Sequence, residues 1–316
     1  MVRIINLKTM KVALSPPFSV LCLGNFDGVH LGHRALAEET VRQKQVLSAE
    51  FEGIASGAWF FDPPPSPYIF GERAPRLSTT EEKLEHFASI GLDYAFLADF
   101  SELCRLTPTD FVKKILVGEC HAVHAVCGYN FRFAKNASGD AAMLSTLMNG
   151  HVSVMPCITL DGKPISSSAI RALLAAGDAE EASRMLGHPV SLSAKVLHGK
   201  ALGKTIGIPT VNQCFPLHAA RLADGIYISR TWVDGTSYPS VSNIGHRPTF
   251  DDGEQVNCET HVIGFASDLY GRKITVEFFK RVRGEIRFPS IEELQNQIRA
   301  DIAATKAYFE EKRRQP

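Results

Sequence analysis

Ten residues near the N-terminus combine the residue types and spacing that handle phosphate: Gly24-Asn25-Phe26-Asp27-Gly28-Val29-His30-Leu31-Gly32-His33. They follow the apolar run Phe18 to Gly24 and open the helix-like stretch Gly32 to Ser48. Small residues let backbone approach a ligand closely, and the free N–H groups of a helix start favour an anion. The dipole alone contributes only about 0.3–1 kcal/mol at an exposed site, too little to hold a triphosphate. His30 and His33 can donate to phosphate oxygens, and a magnesium ion would neutralise more charge. A metal cage is a poor alternative, because two histidines three apart have no third ligand nearby. Purely structural histidines are the bland alternative, and a Gly-flanked strand-to-helix loop is an unusual place for them. A dinucleotide fingerprint is excluded, since GxGxxG is absent.

A second glycine-rich stretch, Gly199-Lys200-Ala201-Leu202-Gly203-Lys204-Thr205, imitates a P-loop. Only three residues separate its glycines where GxxxxGK[ST] needs four. Ile208-Pro209-Thr210 then stands where a long helix should begin. The stretch fits better as a loop on a β-barrel whose N–H groups, around Gly199, Gly203, Lys204 and Gly207, surround phosphate.

The elements that must position these residues fall into two kinds. Up to about residue 187, strand-like and helix-like segments alternate. Strands are expected at Ser56–Phe61, Tyr94–Leu97, Ala122–Cys127 and Val152–Ile158. Helices are expected from a capping box at Thr79–Glu82 and from Thr107 to Leu116. Such alternation implies a parallel sheet covered by helices. After Leu186-Gly187-His188-Pro189 the segments become short, β-rich and punctuated by Asp224-Gly225, Asp234-Gly235 and Asp252-Gly253. Lys273–Phe279 alternates as a half-buried strand does. A last helix opens at Ser290 and Glu293, with Ile291, Leu294, Ile298 and Ile302 on one face. The expected division is 1–187 and 188–316.

Composition narrows the class. The 316 residues suit two domains. Hydrophobic residues make up 45% and charged residues 22%, enough for buried cores and a soluble surface. Lys plus Arg and Asp plus Glu balance at 34 each, so there is no electrostatic footprint for nucleic acid or a membrane surface. The seven scattered cysteines form no CxxC pair, which argues against a zinc ribbon or a disulfide framework and fits a reducing cytosol. No apolar run approaches the roughly 20 residues of a membrane span, nor does the N-terminus have a signal-peptide core. The expected location is cytoplasmic.

The stretch GNFDGVHLGH resembles the HxGH signature of nucleotidyltransferases, in the extended form GxFDGxHxGH of the bacterial bifunctional riboflavin kinase/FAD synthetases. The resemblance continues in family order. It passes through Phe61-Asp62-Pro63, Gly128-Tyr129-Asn130-Phe131-Arg132-Phe133 with Gly139-Asp140, and Ile165-Ser166-Ser167-Ser168-Ala169-Ile170-Arg171. In the second half Gly207-Ile208-Pro209-Thr210-Val211-Asn212 resembles the kinase signature GxPTxN. Asn243 to Phe250 resembles NIGxRPTF, Glu259-Thr260-His261 an ExH strand, Leu269-Tyr270-Gly271 an LYG turn, and Arg283, Glu285 and Phe288 an RxExxF element.

The resemblance implies an α/β nucleotidyltransferase domain with a Rossmann-like parallel sheet, then a small β-barrel riboflavin kinase domain with a C-terminal helix. It implies ATP-dependent phosphorylation of riboflavin to FMN, then transfer of AMP from ATP to FMN, giving FAD and pyrophosphate. His30 and His33, with Gly24, Phe26, Asp27, Gly28 and Gly32, would hold the ATP phosphates. Ser166, Ser167, Ser168 and Arg171 would form a second phosphate loop. Asn130 and Asp62 would line the flavin-phosphate or magnesium side, and Arg283 and Glu285 would contact flavin in the barrel. Thr210 and Asn212 offer hard oxygens for magnesium. Glu259 would be the general base for the ribityl hydroxyl.

Two departures stand out. The family's FDPHP has Pro64 in place of histidine, and its FRFG ends here in Ala134. They motivate an alternative, a riboflavin kinase with a degraded adenylyltransferase domain. A flavin-binding protein without catalysis is a third reading.

Overall fold

The computed structural model describes residues 2–7, 15–64, 74–199, 203, 207–247 and 255–314. Lys204, Asp252-Gly253 and the end of the NIGxRPTF-like stretch lie outside these residues. The chain divides into two compact units, Met1–Ser167 and Ser168–Pro316.

The first unit is built on a parallel sheet. Its strands are β1 (Arg3–Asn6), β2 (Ser19–Leu23), β3 (Ala55–Phe61), β4 (Tyr94–Ala98), β5 (Ala122–Gly128) and β6 (Val152–Met155), in the order β1-β4-β3-β2-β5-β6. Helix α1 (Leu31–Leu47) follows β2, α2 (Thr80–Ile90) precedes β4, and α3 (Ala141–Leu147) precedes β6. Successive residues of one strand enter opposite cores. Leu21, Leu23, Trp59 and Phe96 join Phe111 and Leu116 on one side, while Val20, Cys22, Ala58 and Phe60 join Leu36, Ala37 and Phe87 on the other. A parallel sheet covered on both faces therefore reads as continuous apolar runs, with β2 buried throughout.

Several local signals act as their chemistry dictates. Thr79 caps α2 with Glu82 in a reciprocal capping box, and Gly91 ends that helix in the left-handed region at φ 98°. Thr107 Oγ1 accepts from the Asp110 N–H, but the helix it starts continues through Phe111–Glu119 as a π-helix. The strand expected over Val152–Ile158 stops at Met155, before Pro156. β1 pairs with β4 at the sheet edge and was not anticipated.

The second unit holds α4 (Ser167–Ala176, whose first residue belongs to the first unit), α5 (Ala179–Leu186) and a six-stranded antiparallel sheet. The strands are β7 (Val190–Lys195), β8 (Val211–Cys214), β9 (Gly225–Val233), β10 (Thr236–Arg247), β11 (Gln255–Val262) and β12 (Lys273–Arg283), in the order β7-β12-β9-β10-β11-β8. The chain just past β7 meets β8 through the Leu197–Asn212 bridge, so the two edges close into a barrel. Asp234 and Gly235, at φ 49° and 77°, make the two-residue hairpin between β9 and β10. The Glu293 N–H is capped by Ser290 Oγ at the start of helix α6 (Ile291–Arg314). Leu294, Ile298 and Ile302 are half-buried along the expected face, and Ile291 departs from it. Ile291 is 66% exposed, and the two buried positions are Asp301 and Thr305. Asp301 is buried because Arg283 pairs with it at 2.8 Å.

Candidate active sites

The strand order of the first unit reverses between β2 and β5, and open α/β sheets leave a crevice at such a point, outside the carboxyl ends of the strands. The Gly24–His33 loop leaves β2 at this place. It borders a cavity of about 1030 Å³ that also reaches Trp59, Asn130, Phe131, Ser166 and Ser167. Phe26, Gly28 and Val29 all have positive φ (51°, 84° and 38°), so the loop coils tightly before the helix. The Phe26 ring is fully buried against Phe87, at 5.2 Å between centroids. Burial of a large aromatic side chain stabilises a conformation that costs of order 1–3 kcal/mol per strained residue. Asp27 Oδ1 accepts from the N–H groups of Leu77 and Ser78 at 2.9 and 3.3 Å, and Ser167 Oγ donates to the Asp27 carbonyl at 2.9 Å. Asp27 also lines the cavity, and its carboxylate ties the loop to the segment before α2.

His30 is the N-cap of α1, and its Nδ1 accepts from the His33 N–H at 3.3 Å. That bond uses the Nδ1 lone pair, so a neutral His30 carries its proton on Nε2. The two imidazoles stack with centroids 3.6 Å apart and planes 15° off parallel. Burial pushes His30 down to about 4. His33 lies well below the ordinary histidine range through burial, then His30, then the Lys83 charge. Both rings are therefore neutral at pH 7, each with one N–H to donate. Gly32 packs under the pair, where a Cβ would lie 3.2 Å from the His30 ring. Lys83 stands behind this loop and was not singled out from the sequence: a lysine inside an amphipathic helix ordinarily reads as a solvated charge.

Asn130 and Ser166 also line the cavity, and Asp62 follows β3 beside it in sequence, its N–H donating to the Ala98 carbonyl. Ser168 and Arg171 lie on α4 in the second unit. Ala134, where the family has glycine, sits at φ 63° and ψ −171°, a region that suits glycine and strains alanine.

In the barrel, Glu259 is paired in register with Asn212 of β8 on one side and with Asn243 of β10 on the other. Asn257, two residues along β11, shares that face. Its Nδ2 donates to Asn212 Oδ1 at 3.0 Å and to Glu259 Oε1 at 3.3 Å. The glycines of the P-loop mimic have a packing reason. A Cβ on Gly199 would overlap the Asn212 amide, and one on Gly203 would come within 3.3 Å of Thr210 Oγ1. Gly207 needs its freedom for φ 74°. Thr210 also lines a cavity of about 230 Å³ with Thr260, Phe265 and Tyr270. The donor chemistry fits magnesium: Thr210 and Asn212 supply hard oxygens in a cradle that side chains would fill, and among the described residues the buried Oδ1 atoms of Asn243 and Asn257 have no hydrogen-bond partner. Glu285 approaches Gly245 and accepts from Asn243 Nδ2 at 3.1 Å. Arg283 is held by Asp301 of α6.

Comparison with known proteins decides the family. Residues 14–169 match the FAD synthetase family model and residues 186–309 the riboflavin kinase model. The bifunctional riboflavin kinase/FMN adenylyltransferase of Pseudomonas fluorescens is 35% identical over 292 residues, covering 91% of this chain and 92% of its own. The chain belongs to the bifunctional riboflavin kinase/FMN adenylyltransferase family. The Bacillus subtilis member is 33% identical over 298 residues, with 92% of each chain covered. A crystal structure described as a macrolide-efflux protein from Streptococcus pneumoniae aligns with a TM-score of 0.87 at 26% identity, covering 96% of this chain and 99% of its own. That description is of the other protein; among the described residues here, no helix is long and apolar enough to cross a membrane.

Proposed function

We propose that this family member phosphorylates riboflavin to FMN in its barrel and adenylylates FMN to FAD at the histidine loop, with the functional boundary at 187/188. The observation that carries the reading is the stacked, neutral His30–His33 pair at a helix start on the sheet's reversal point. At this site the attacking FMN phosphate is already anionic at neutral pH. The step then needs placement and charge neutralisation rather than a base. With its Nδ1 taken by the His33 N–H, His30 would donate from Nε2 to a phosphate oxygen, and the N–H groups of the helix start would add donors. Ser166, Ser167, Ser168 and Arg171 are assigned to the same phosphates, and Asn130 with Asp62 to the flavin side.

In the barrel the nucleophile is a neutral alcohol, so a proton must leave as it attacks the γ-phosphate. Glu259 is the group assigned to accept it, held at one oxygen by Asn257. Thr210 and Asn212 would hold magnesium, which would supply charge neutralisation for the nucleotide phosphates. Glu285 and Arg283 are assigned to the flavin end. Cytoplasmic location belongs with this reading.

The test is incubation of the purified chain with riboflavin, ATP and magnesium, with flavins resolved over time. FMN followed by FAD is the expected sequence. FMN accumulating without FAD, even when FMN is supplied directly, would leave only the kinase.

A further inference from the structure

Lys83 lies on α2 and is only 3% exposed. Its Nζ donates to the Asn25 carbonyl at 2.9 Å and stands 5.1 Å from the Phe60 ring centroid. Asn25 borders the cavity, whereas Lys83 does not. A buried ammonium is a costly way to hold one carbonyl, since a neutral amide would make the same bond without desolvating a full charge. The charge therefore needs a counterpart. Burial pulls the ammonium below the ordinary lysine range; Asp27 and then Asp62 oppose that shift, and Arg76 adds to it. The charge also reaches the site, because it helps to keep His33 neutral. Two neutral histidines bring hydrogen bonds but no fixed charge to a polyanion. A cation held behind the loop, in a medium where charges are weakly screened, supplies it.

We propose that Lys83 is a positioning residue for adenylylation, a buried cation that braces the Gly24–His33 loop and provides fixed positive potential for the triphosphate of ATP. The proposal rests on assigning FMN adenylylation to this loop. It assigns Lys83 no direct contact with substrate and no proton transfer.

The test uses the full-length chain with FMN and ATP, following FAD formation. Lys83→Gln keeps a donor for the Asn25 carbonyl and removes the charge; Lys83→Met removes both. Two quantities are read at this site alone, the KM for ATP and the inhibition constant of adenosine, which lacks the phosphates. Riboflavin phosphorylation by the same chain controls for folding. Both variants are expected to raise the KM for ATP about tenfold or more, with adenosine inhibition and phosphorylation unchanged. A Lys83→Gln variant with the parental KM would reduce Lys83 to a hydrogen-bonding role and overturn the proposal. Equal weakening of ATP and adenosine would do the same, since it would mean a misshapen loop. Loss of phosphorylation in both variants would assign Lys83 to folding and also count against it. Parent protein that makes no FAD would instead remove the underlying assignment before any variant is compared.

Discussion

The two proposed sites would solve one problem, holding ATP beside a flavin, with opposite construction. In the first unit the site is a contiguous loop at the end of a parallel strand, shaped by positive φ angles and a helix N-terminus. In the barrel the groups come from side chains on neighbouring strands, Asn212 and Asn243 flanking Glu259 in register. The chemistry accounts for the difference. An anionic nucleophile needs donors and field, which backbone and helix ends supply cheaply. A neutral hydroxyl needs a carboxylate placed to a fraction of an ångström, and a barrel wall holds side chains more rigidly than a loop does.

The largest effect that would break this comparison is expected from Glu259→Gln. FMN formation should fall by about 10²–10⁴, while adenylylation of supplied FMN stays at the parental rate. Parental FMN formation would remove Glu259 as the base. The reciprocal change is His33→Ala. FAD formation should fall by roughly 10²–10³ through loss of a donor, with phosphorylation intact; equal loss of both reactions would mean the sites are not separate.

Acid should also tell the units apart. His30 has its folded pKa pushed from 6.5 to about 4, so between those values the unfolded chain binds more protons. Its stabilising contribution is complete above pH 6.5 and lost as pH falls towards 4, roughly 3 kcal/mol in all. Trp59 and Trp232 give each unit its own fluorophore. In a Trp232→Phe background, urea unfolding followed at Trp59 should weaken on acidification from pH 7 to 4.5. Adding His30→Asn should weaken that dependence and leave the part due to His33, which is also held below the ordinary histidine range; an unchanged slope would show that His30 does not contribute.

The smallest effect sharpens the contrast at a single residue. Ala134→Gly relieves an alanine at φ 63° and should stabilise the first unit by about 1 kcal/mol. Thermal unfolding of the two proteins checks it, and a lower midpoint for the glycine variant would mean the strain is not there.

Legibility followed construction. The GNFDGVHLGH loop, the capping box at Thr79 and the Asp234-Gly235 hairpin were readable because each is local, with the interacting groups within ten residues. The edge strand β1 was missed because four residues carry too little periodicity. The burial of Asp301 on α6 could not be seen from helix spacing, because its partner Arg283 comes from the end of β12.

The sequence by itself determined the two architectures, the family and the residues that can do chemistry, because patterning and motif order are properties of neighbours along the chain. Only the tertiary structure decided what those residues face. It stacked His30 on His33 and buried Lys83 behind them, turned Asp27 into a brace, and put Asn257 between Asn212 and Glu259. Each of these depends on burial or on a partner far along the chain. A side chain's proton affinity and its free lone pairs are set by the atoms packed around it.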